Sequence, residues 1–323
     1  MVLGLCLSLV GCRSTGDALA EPVEVVIPEG AGFGEVLDSL VSRGVVQRPL
    51  LFKAYARWRG DDARIRAGRY ALVAGGPWGA LLEDLVAGRV LTEPVTFPEG
   101  WTLSQMAPRI AEFTGVSEDS VRALLNADSA HLALQVPGPG LEGYLMPETY
   151  RFAAGLSPEA VIRAMAAEYR SFWTVERRAR LDTLGLSQGE LTTLASIVQA
   201  EARKFDEMPR IAGVYHNRLR EGWLLQADPT VIYALGGYRR RLLFAAIDSV
   251  ADSPYNTYTQ PGLPPGPIGA PGRAALEAAL YPEEHDFFFF VAHSDGSHVF
   301  TRSLSEHNRA IAEVRRTAPA SQR

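Results

Sequence analysis

Apolar residues recur along this chain with two different periods, and the switches between them mark out its elements. "VEVVIPEG" from Val23 alternates and then turns, as a strand does, and "GEVLDSLVSRGVV" reads as an amphipathic helix ending at Gly44. "LLFKAYARWRG" predicts a second helix, "AGRYALV" a strand and "WGALLEDLVAGR" a third helix. From Val116 the pattern is largely helical: "VSEDSVRALLNA", "SPEAVIRAMAAEYRSFW", "LASIVQAEARKF" and "DEMPRIAGVYHNRLREG". "DPTVIYALGG" predicts a short helix with Asp228 as N-cap, Pro229 at the first position and Gly236 at its end. "DFFFFVAH", a Ser294-Asp295-Gly296 turn and "SHVFTR" predict a hairpin, and a last helix begins near Ser303.

One unit occurs twice. "IPEGAGFGEVLDSLV" at Ile27 and "FPEGWTLSQMAPRIA" at Phe97 share an apolar-Pro-Glu-Gly turn followed by an amphipathic helix. Two copies are too few for a solenoid, which leaves a duplicated strand-turn-helix unit or a common Pro-Glu-Gly turn that simply occurs twice. "YNTYTQPGLPPGPIGAPG" (Tyr255 to Gly272) mixes Gly and Pro with Tyr, Asn and Thr, and its composition reads as a binding loop.

Within "LASIVQAEARKF" a carboxylate falls where an apolar residue is expected. Ser187 and Glu190 stand in capping-box spacing, and Leu191, Leu194, Val198, Ala202 and Phe205 draw one apolar stripe. Glu201 lies in that stripe, whereas Gln199 and Arg203 fall off it. A carboxyl on an apolar face is desolvated, which raises its pKa and suits it to act as a general acid. The helix alone leaves open a structural glutamate paired with Arg or capping a nearby loop.

Composition narrows the classes. The chain has 323 residues, 47% hydrophobic and 21% charged, enough for one large domain and a smaller one. A net charge of -5 gives no basic footprint, so nucleic acid is not an expected partner. The only cysteines, Cys6 and Cys12, lie in "MVLGLCLSLVGC", so the body forms no disulfide and no cysteine metal site. That run suits a signal-peptide apolar core, and Leu9 to Cys12 has the form of a lipobox. No Lys or Arg precedes it, which leaves a transmembrane anchor as the other expectation. Residues 1–22 are therefore read as an anchor or signal segment with a linker.

Several groups could hold a sugar. "LEGYLMPETYRF" sets Glu142 and Glu148 beside Tyr144, "LLQADPTVIY" adds Gln226, Asp228 and Tyr233, and "YNTY" adds Tyr255, Asn256 and Tyr258. Aromatic faces interleaved with polar groups match the two-sided character of carbohydrate. Each group also has a plain structural reading as a surface turn or helix cap. His285, His293, His298 and His307 form no His-x-x-x-His pair, and the hairpin histidines read as polar groups at strand ends, so no metal is expected. No Gly-rich phosphate loop and no Gly-x-Ser-x-Gly elbow occur, and no cofactor is expected.

In order, "LEGYLMPETY", "ASIVQAEA", "NRL" at Asn217, "LQADPTVIYALG", "YNTY" with "GLPPGPI", and "HVF…EHN" resemble the YceG-like family of bacterial endolytic murein transglycosylases. The similarity runs from about Val23 nearly to the C-terminus. It implies an α+β protein, with a small LysM-like α/β subdomain at 23–91 and a larger, mainly helical catalytic domain at 92–323 that carries the C-terminal hairpin. It further implies peptidoglycan glycan strands as substrate, attachment to the cytoplasmic membrane with the body on the extracytoplasmic side, and cell-wall synthesis proteins as partners. The family's catalytic glutamate corresponds to Glu201, and the family's preceding acidic position is Gln199 here. Glu142, Tyr144, Glu148, Asn217, Gln226, Asp228, Tyr233, Tyr255, Asn256 and Tyr258 are the expected substrate-binding residues. A lytic transglycosylase needs one acid/base, because the muramyl 6-hydroxyl attacks internally, whereas a hydrolase needs a second carboxylate. The alternatives are a muramidase with Asp228 or Glu142 as partner and a non-catalytic peptidoglycan-binding protein. A pyridoxal-dependent lyase finds no context for its Schiff-base lysine, since only Lys53 and Lys204 exist.

Overall fold

The computed structural model describes residues 21–237 and 244–317. The lipobox and both cysteines lie outside the described residues. The chain divides into two compact units between Glu93 and Pro94. Small antiparallel sheets and many helices make it an α+β protein.

In the first unit β1 (Pro22–Ile27) pairs antiparallel with β2 (Gly68–Val73), with Val25 opposite Tyr70. Period-two alternation sends Val25, Ile27, Tyr70 and Leu72 to one face, where all four are buried. Three helices cover that face: α1 (Phe33–Ser42) with Val36 and Leu40, α2 (Pro49–Arg59) with Phe52 and Ala56, and α3 (Trp78–Ala87) with Leu82 and Leu85. The Tyr70 hydroxyl donates to the Arg66 carbonyl at 2.6 Å, so this fully buried ring leaves no unpaired polar atom.

The second unit opens on the repeated motif. β3 (Thr92–Thr96) leads through Pro98-Glu99-Gly100 into α4 (Leu103–Thr114), as β1 leads through Pro28-Glu29-Gly30 into α1. The two turn glycines adopt the same left-handed φ, 75° at Gly30 and 76° at Gly100, a region costly for other residues. Each helix then closes with an N3 side chain, Glu35 or Gln105, accepting from the N-cap amide. The partner of β3 is β4 (Thr149–Ala153), a strand formed from the end of "LEGYLMPETYRF", which the sequence pattern does not mark as one. Between them come α5 (Glu118–Leu125) and the single turn α6 (Ala130–Ala133), and α7 (Pro158–Phe172) and α8 (Val175–Leu184) follow.

α9 (Gln188–Glu201) is the axis of this unit, packed against α10 (Met208–Arg220) and α13 (Arg273–Leu280). The expected single stripe is corrected here, because every residue from Leu191 to Val198 is buried. Thr192, Thr193 and Ser196 tolerate this by donating to the carbonyls of Gln188, Gly189 and Thr193. The helix stops at Glu201, Ala202 turns to extended backbone, and Phe205, assigned to the stripe by spacing, is 63% exposed.

α11 (Asp228–Ala234) and α12 (Phe244–Asp248) precede the Gly/Pro-rich loop. The loop divides in two: Tyr255 and Tyr258 are half-buried, whereas residues 266–272 are all buried. Buried irregular backbone needs partners, and α9 supplies them. Ser196 Oγ accepts from Ile268 N at 3.0 Å, and Gln199 Oε1 accepts from Gly272 N at 3.0 Å. After α13 the chain forms the hairpin of β5 (Phe289–Ala292) and β6 (His298–Thr301), then α14 (Leu304–Thr317).

The approach to the hairpin depends on Gly213. A Cβ there would stand 2.4 Å from the Glu283 carbonyl oxygen and 2.6 Å from His285 Nε2. Its absence lets residues 283–285 lie directly on α10, where Glu283 N donates to Pro209 O at 2.9 Å. Gly213→Ala is therefore expected to destabilise by about 1–3 kcal/mol, the usual cost of overpacking. Chemical denaturation checks this, and a neutral or stabilising change would show that the segment has room to move.

Candidate active site

Glu201 ends α9, and the residues around it come from several other elements. Tyr215 on α10 is buried, and its hydroxyl donates to Glu201 Oε1 at 3.0 Å. Arg218, one turn on, is buried and clamps two segments, donating from Nε to Phe288 O at 2.8 Å and from Nη1 to Leu225 O at 2.6 Å. Those contacts seat the "LLQADPT" stretch beside the first strand of the hairpin. A cavity of about 410 Å3 results, lined by Glu201, Tyr215, Arg218, Gln226, Asp228 and Tyr258, with Phe290, His298 and His307 on the hairpin side.

Asp228 is not the N-cap of α11. Ala227 occupies that position, and Asp228 is the first helical residue. Its carboxylate accepts from the Tyr258 hydroxyl and faces the cavity instead of the helix amides. Thr257 holds this arrangement from beneath. Its carbonyl accepts from Gln226 N and its hydroxyl from Ala227 N, both at 3.0 Å, and the hydroxyl also pairs with Thr230. Gln226 is thereby fixed at φ 47°, a strained value for a residue other than glycine.

Burial pushes the Glu201 carboxyl up to about 7, and the Asp228 charge adds to the rise. The Tyr215 hydrogen bond and the Arg218 charge oppose it without reversing it. The acid is therefore protonated through weakly acidic pH.

A second group gathers around Glu142. Its carboxylate oxygens accept from Leu103 N at 3.1 and 3.3 Å, at the start of α4, and the Tyr233 hydroxyl approaches to 3.5 Å. Burial pushes Glu142 up to about 7 despite these contacts. Tyr255 packs against Tyr233 at a tilt of 48°, with ring centres 4.9 Å apart. Glu142 and Tyr233 line a cavity of about 750 Å3 whose wall also includes Ala200 and Pro229, the chain neighbours of Glu201 and Asp228.

Other expected contact residues are placed in the frame. Tyr144 is buried against Tyr169. The Asn217 amide donates to the carbonyls of His285 and Phe287 at 2.9 Å, and the Asn256 amide to those of Ile247 and Val250 at 2.9 and 3.1 Å. Both asparagines are buried, so their side chains hold loops in place and do not face a ligand. Glu148 faces Arg273 at 3.8 Å. Gln199 Nε2 donates to Glu99 at 3.3 Å, a contact that a glutamate at position 199 would turn into repulsion between carboxylates. Tyr215, Arg218, His298 and His307 were not among the expected site residues. The available signal was the family-like "NRL" and "HVF…EHN" strings, which contain Arg218, His298 and His307, while Tyr215 lies two residues ahead of "NRL".

A raised carboxyl leaves a mark on stability. Native Glu201 keeps its proton to about pH 7, while the unfolded side chain releases it near 4.5. Between these values the native state binds more protons, so its contribution is complete below 4.5 and is lost as pH rises through 7. A gap of this size amounts to on the order of 3 kcal/mol. Glu201→Gln should therefore be more stable than the wild type at pH 8, with the difference shrinking toward pH 4. Denaturation across that range checks it, and parallel pH profiles would contradict the raised value.

The chain is similar to known proteins over most of its length. The family model described as YceG-like matches residues 25–313. An endolytic murein transglycosylase of Bacillus subtilis is 34% identical over 91% of this chain and 88% of that protein. One from Streptococcus pneumoniae is 31% identical over 90% of this chain, which spans 58% of that longer protein. A crystal structure of a YceG-like protein from Listeria monocytogenes superposes with a TM-score of 0.61 at 31% identity, covering 90% of this chain and 98% of the other. With its match running from the first strand to the last helix, the chain belongs to the YceG-like family.

Proposed function

We propose that this protein is an endolytic lytic transglycosylase of peptidoglycan, cleaving the bond between N-acetylmuramic acid and N-acetylglucosamine within glycan strands. The observation that carries the reading is Glu201, a carboxyl raised to about 7 in the wall of a cavity. Breaking a glycosidic bond requires a proton on the bridging oxygen while positive charge develops at the anomeric carbon. A buried glutamic acid supplies that proton near neutral pH. The names carried by the relatives from B. subtilis and S. pneumoniae agree with this substrate and chemistry.

In this reading Glu201 is the general acid/base, and the muramyl 6-hydroxyl attacks the anomeric carbon of its own ring. Proximity makes that step favourable, since nucleophile and electrophile are already joined. The product end is a 1,6-anhydro sugar. Gln226, Asp228 and Tyr258 contact the sugars at the break, and Glu142, Tyr233 and Tyr255 bind further along the strand. The first unit is LysM-like, and the N-terminal segment holds the body at the outer side of the cytoplasmic membrane.

A second reading draws on Asp228, which shares the cavity with Glu201 and is anchored by Tyr258. A carboxylate in that place could activate water, which would make the enzyme a muramidase.

Purified glycan strands incubated with the protein separate the two. Internal attack leaves an end one water lighter than a hydrolysed one and resistant to borohydride reduction. Mass analysis is expected to find anhydro ends, and long strands should shorten before small fragments accumulate. Reducing ends as the main product would transfer the assignment to the hydrolase. Glu201→Gln should lose about 10²–10⁴-fold in cleavage rate. A folded variant that retained the wild-type rate would remove Glu201 from the chemistry.

A further inference from the structure

His298, in the wall of the Glu201 cavity, is paired with Glu207 behind it. Glu207 ends the 3-10 turn Phe205–Glu207 that follows α9, and His298 opens β6. Glu207 grips His298 twice, accepting from its backbone N at 3.1 Å and from Nδ1–H at 2.7 Å. The imidazole side chain is 3% exposed, and its ring forms part of the cavity wall shared with Glu201. Phe290 packs edge-on against both the Tyr215 and the His298 rings, at 5.9 and 5.4 Å. The histidine is thus fixed to the same aromatic wall as the tyrosine that holds the acid.

Which nitrogen carries the proton follows from the partner. A carboxylate accepts only, so Nδ1 is the donor and Nε2 of the neutral ring is left with its lone pair. Burial alone would raise the Glu207 carboxyl, but the bonds from His298 outweigh it and hold it below the ordinary range. Glu207 is therefore an anion, able to stabilise a positive charge on the ring. An imidazole oriented by a half-buried carboxylate, in the wall of the cavity that holds the acid, is the arrangement of a general base.

We propose that His298 is a second catalytic residue, whose Nε2 takes the proton from the attacking hydroxyl, with Glu207 as its positioning residue. The inference rests on the lytic reading above. Glu201 gives its proton to the bridging oxygen as the bond from that oxygen to the anomeric carbon breaks. The 6-hydroxyl oxygen bonds to the same carbon while its proton passes to Nε2. The imidazolium then returns a proton to Glu201 through solvent, so both groups are restored and no water is consumed. In this division Glu201 keeps the acid role, and the base role assigned to it above passes to His298.

The test is chemical rescue on the full-length protein. His298→Ala should lower kcat by about 10²-fold with little change in KM, as expected for loss of a base. Added imidazole should restore part of that rate, and should restore nothing in Glu201→Gln. Absence of rescue in a folded His298→Ala protein, or a kcat equal to the wild type, would overturn the proposal. Glu207→Gln covers the case in which His298→Ala fails to fold. It keeps one acceptor oxygen where the carboxylate has two and removes the charge, so kcat should fall about tenfold with KM held, and an unchanged kcat would count against the pair. The wild-type product judges the underlying reading separately: anhydro ends uphold it and reducing ends overturn it, while rescue is scored by the rate of bond cleavage alone.

Discussion

Removing water from one carboxyl is the constraint around which the second unit is organised. Glu201 sits at the end of a helix buried on every side from Leu191 to Val198, so its own element cannot carry it toward solvent. Such a group is costly when charged and tolerable when protonated, and the fold places it where that asymmetry is useful. Tyr215 gives one oxygen a hydrogen bond, which fixes the carboxyl without neutralising the effect of burial. Around it, buried and half-buried polar side chains hold irregular backbone in place. Arg218 serves two carbonyls, Thr257 serves the Gln226–Ala227 turn, and Ser196 and Gln199 serve the Gly/Pro loop.

This explains the density of glycine and proline near the site. The loop through Gly269 and Gly272 runs against α9 and the Pro98-Glu99-Gly100 turn, with backbone bonds joining Gly100 to Ala270 and Ala270 to Trp101. Close packing of irregular chain leaves little space for side chains, and a Cβ at Gly269 would stand 2.6 Å from the Gly100 carbonyl oxygen. The Pro98-Glu99-Gly100 turn is thus part of the support beneath α9. Its counterpart at Gly30, with nothing near the position of its absent Cβ, keeps only the strand-to-helix role.

Elements that rest on local periodicity were legible in the sequence. The strands of the first unit, its three helices, the start of α9, α10 and the C-terminal hairpin all appear where spacing and turn residues put them. Glu201 stood out because an acid interrupted an apolar pattern. What stayed hidden depends on residues distant in sequence. Thr149 to Ala153 forms a strand because β3, more than fifty residues earlier, offers an edge. Asp228 has the spacing of a cap, yet Tyr258 draws its carboxylate into the cavity. Asn256 and Asn217 have the polarity of ligand contacts, but carbonyls from other segments engage them. The Glu207–His298 pair joins positions 91 apart, which no local pattern marks. Tyr255, Asn256 and Tyr258 lie within four residues, and the fold gives them three different roles.

The central claim is that the cavity keeps Glu201 protonated where an ordinary glutamate would be ionised. Carbon-detected NMR of the side-chain carboxyl, assigned by comparison with Glu201→Gln, reads this directly. A titration midpoint about 7 for Glu201 is the predicted result. A midpoint near the ordinary 4.5 would contradict the account, because a group already ionised at neutral pH has no proton to give the bridging oxygen.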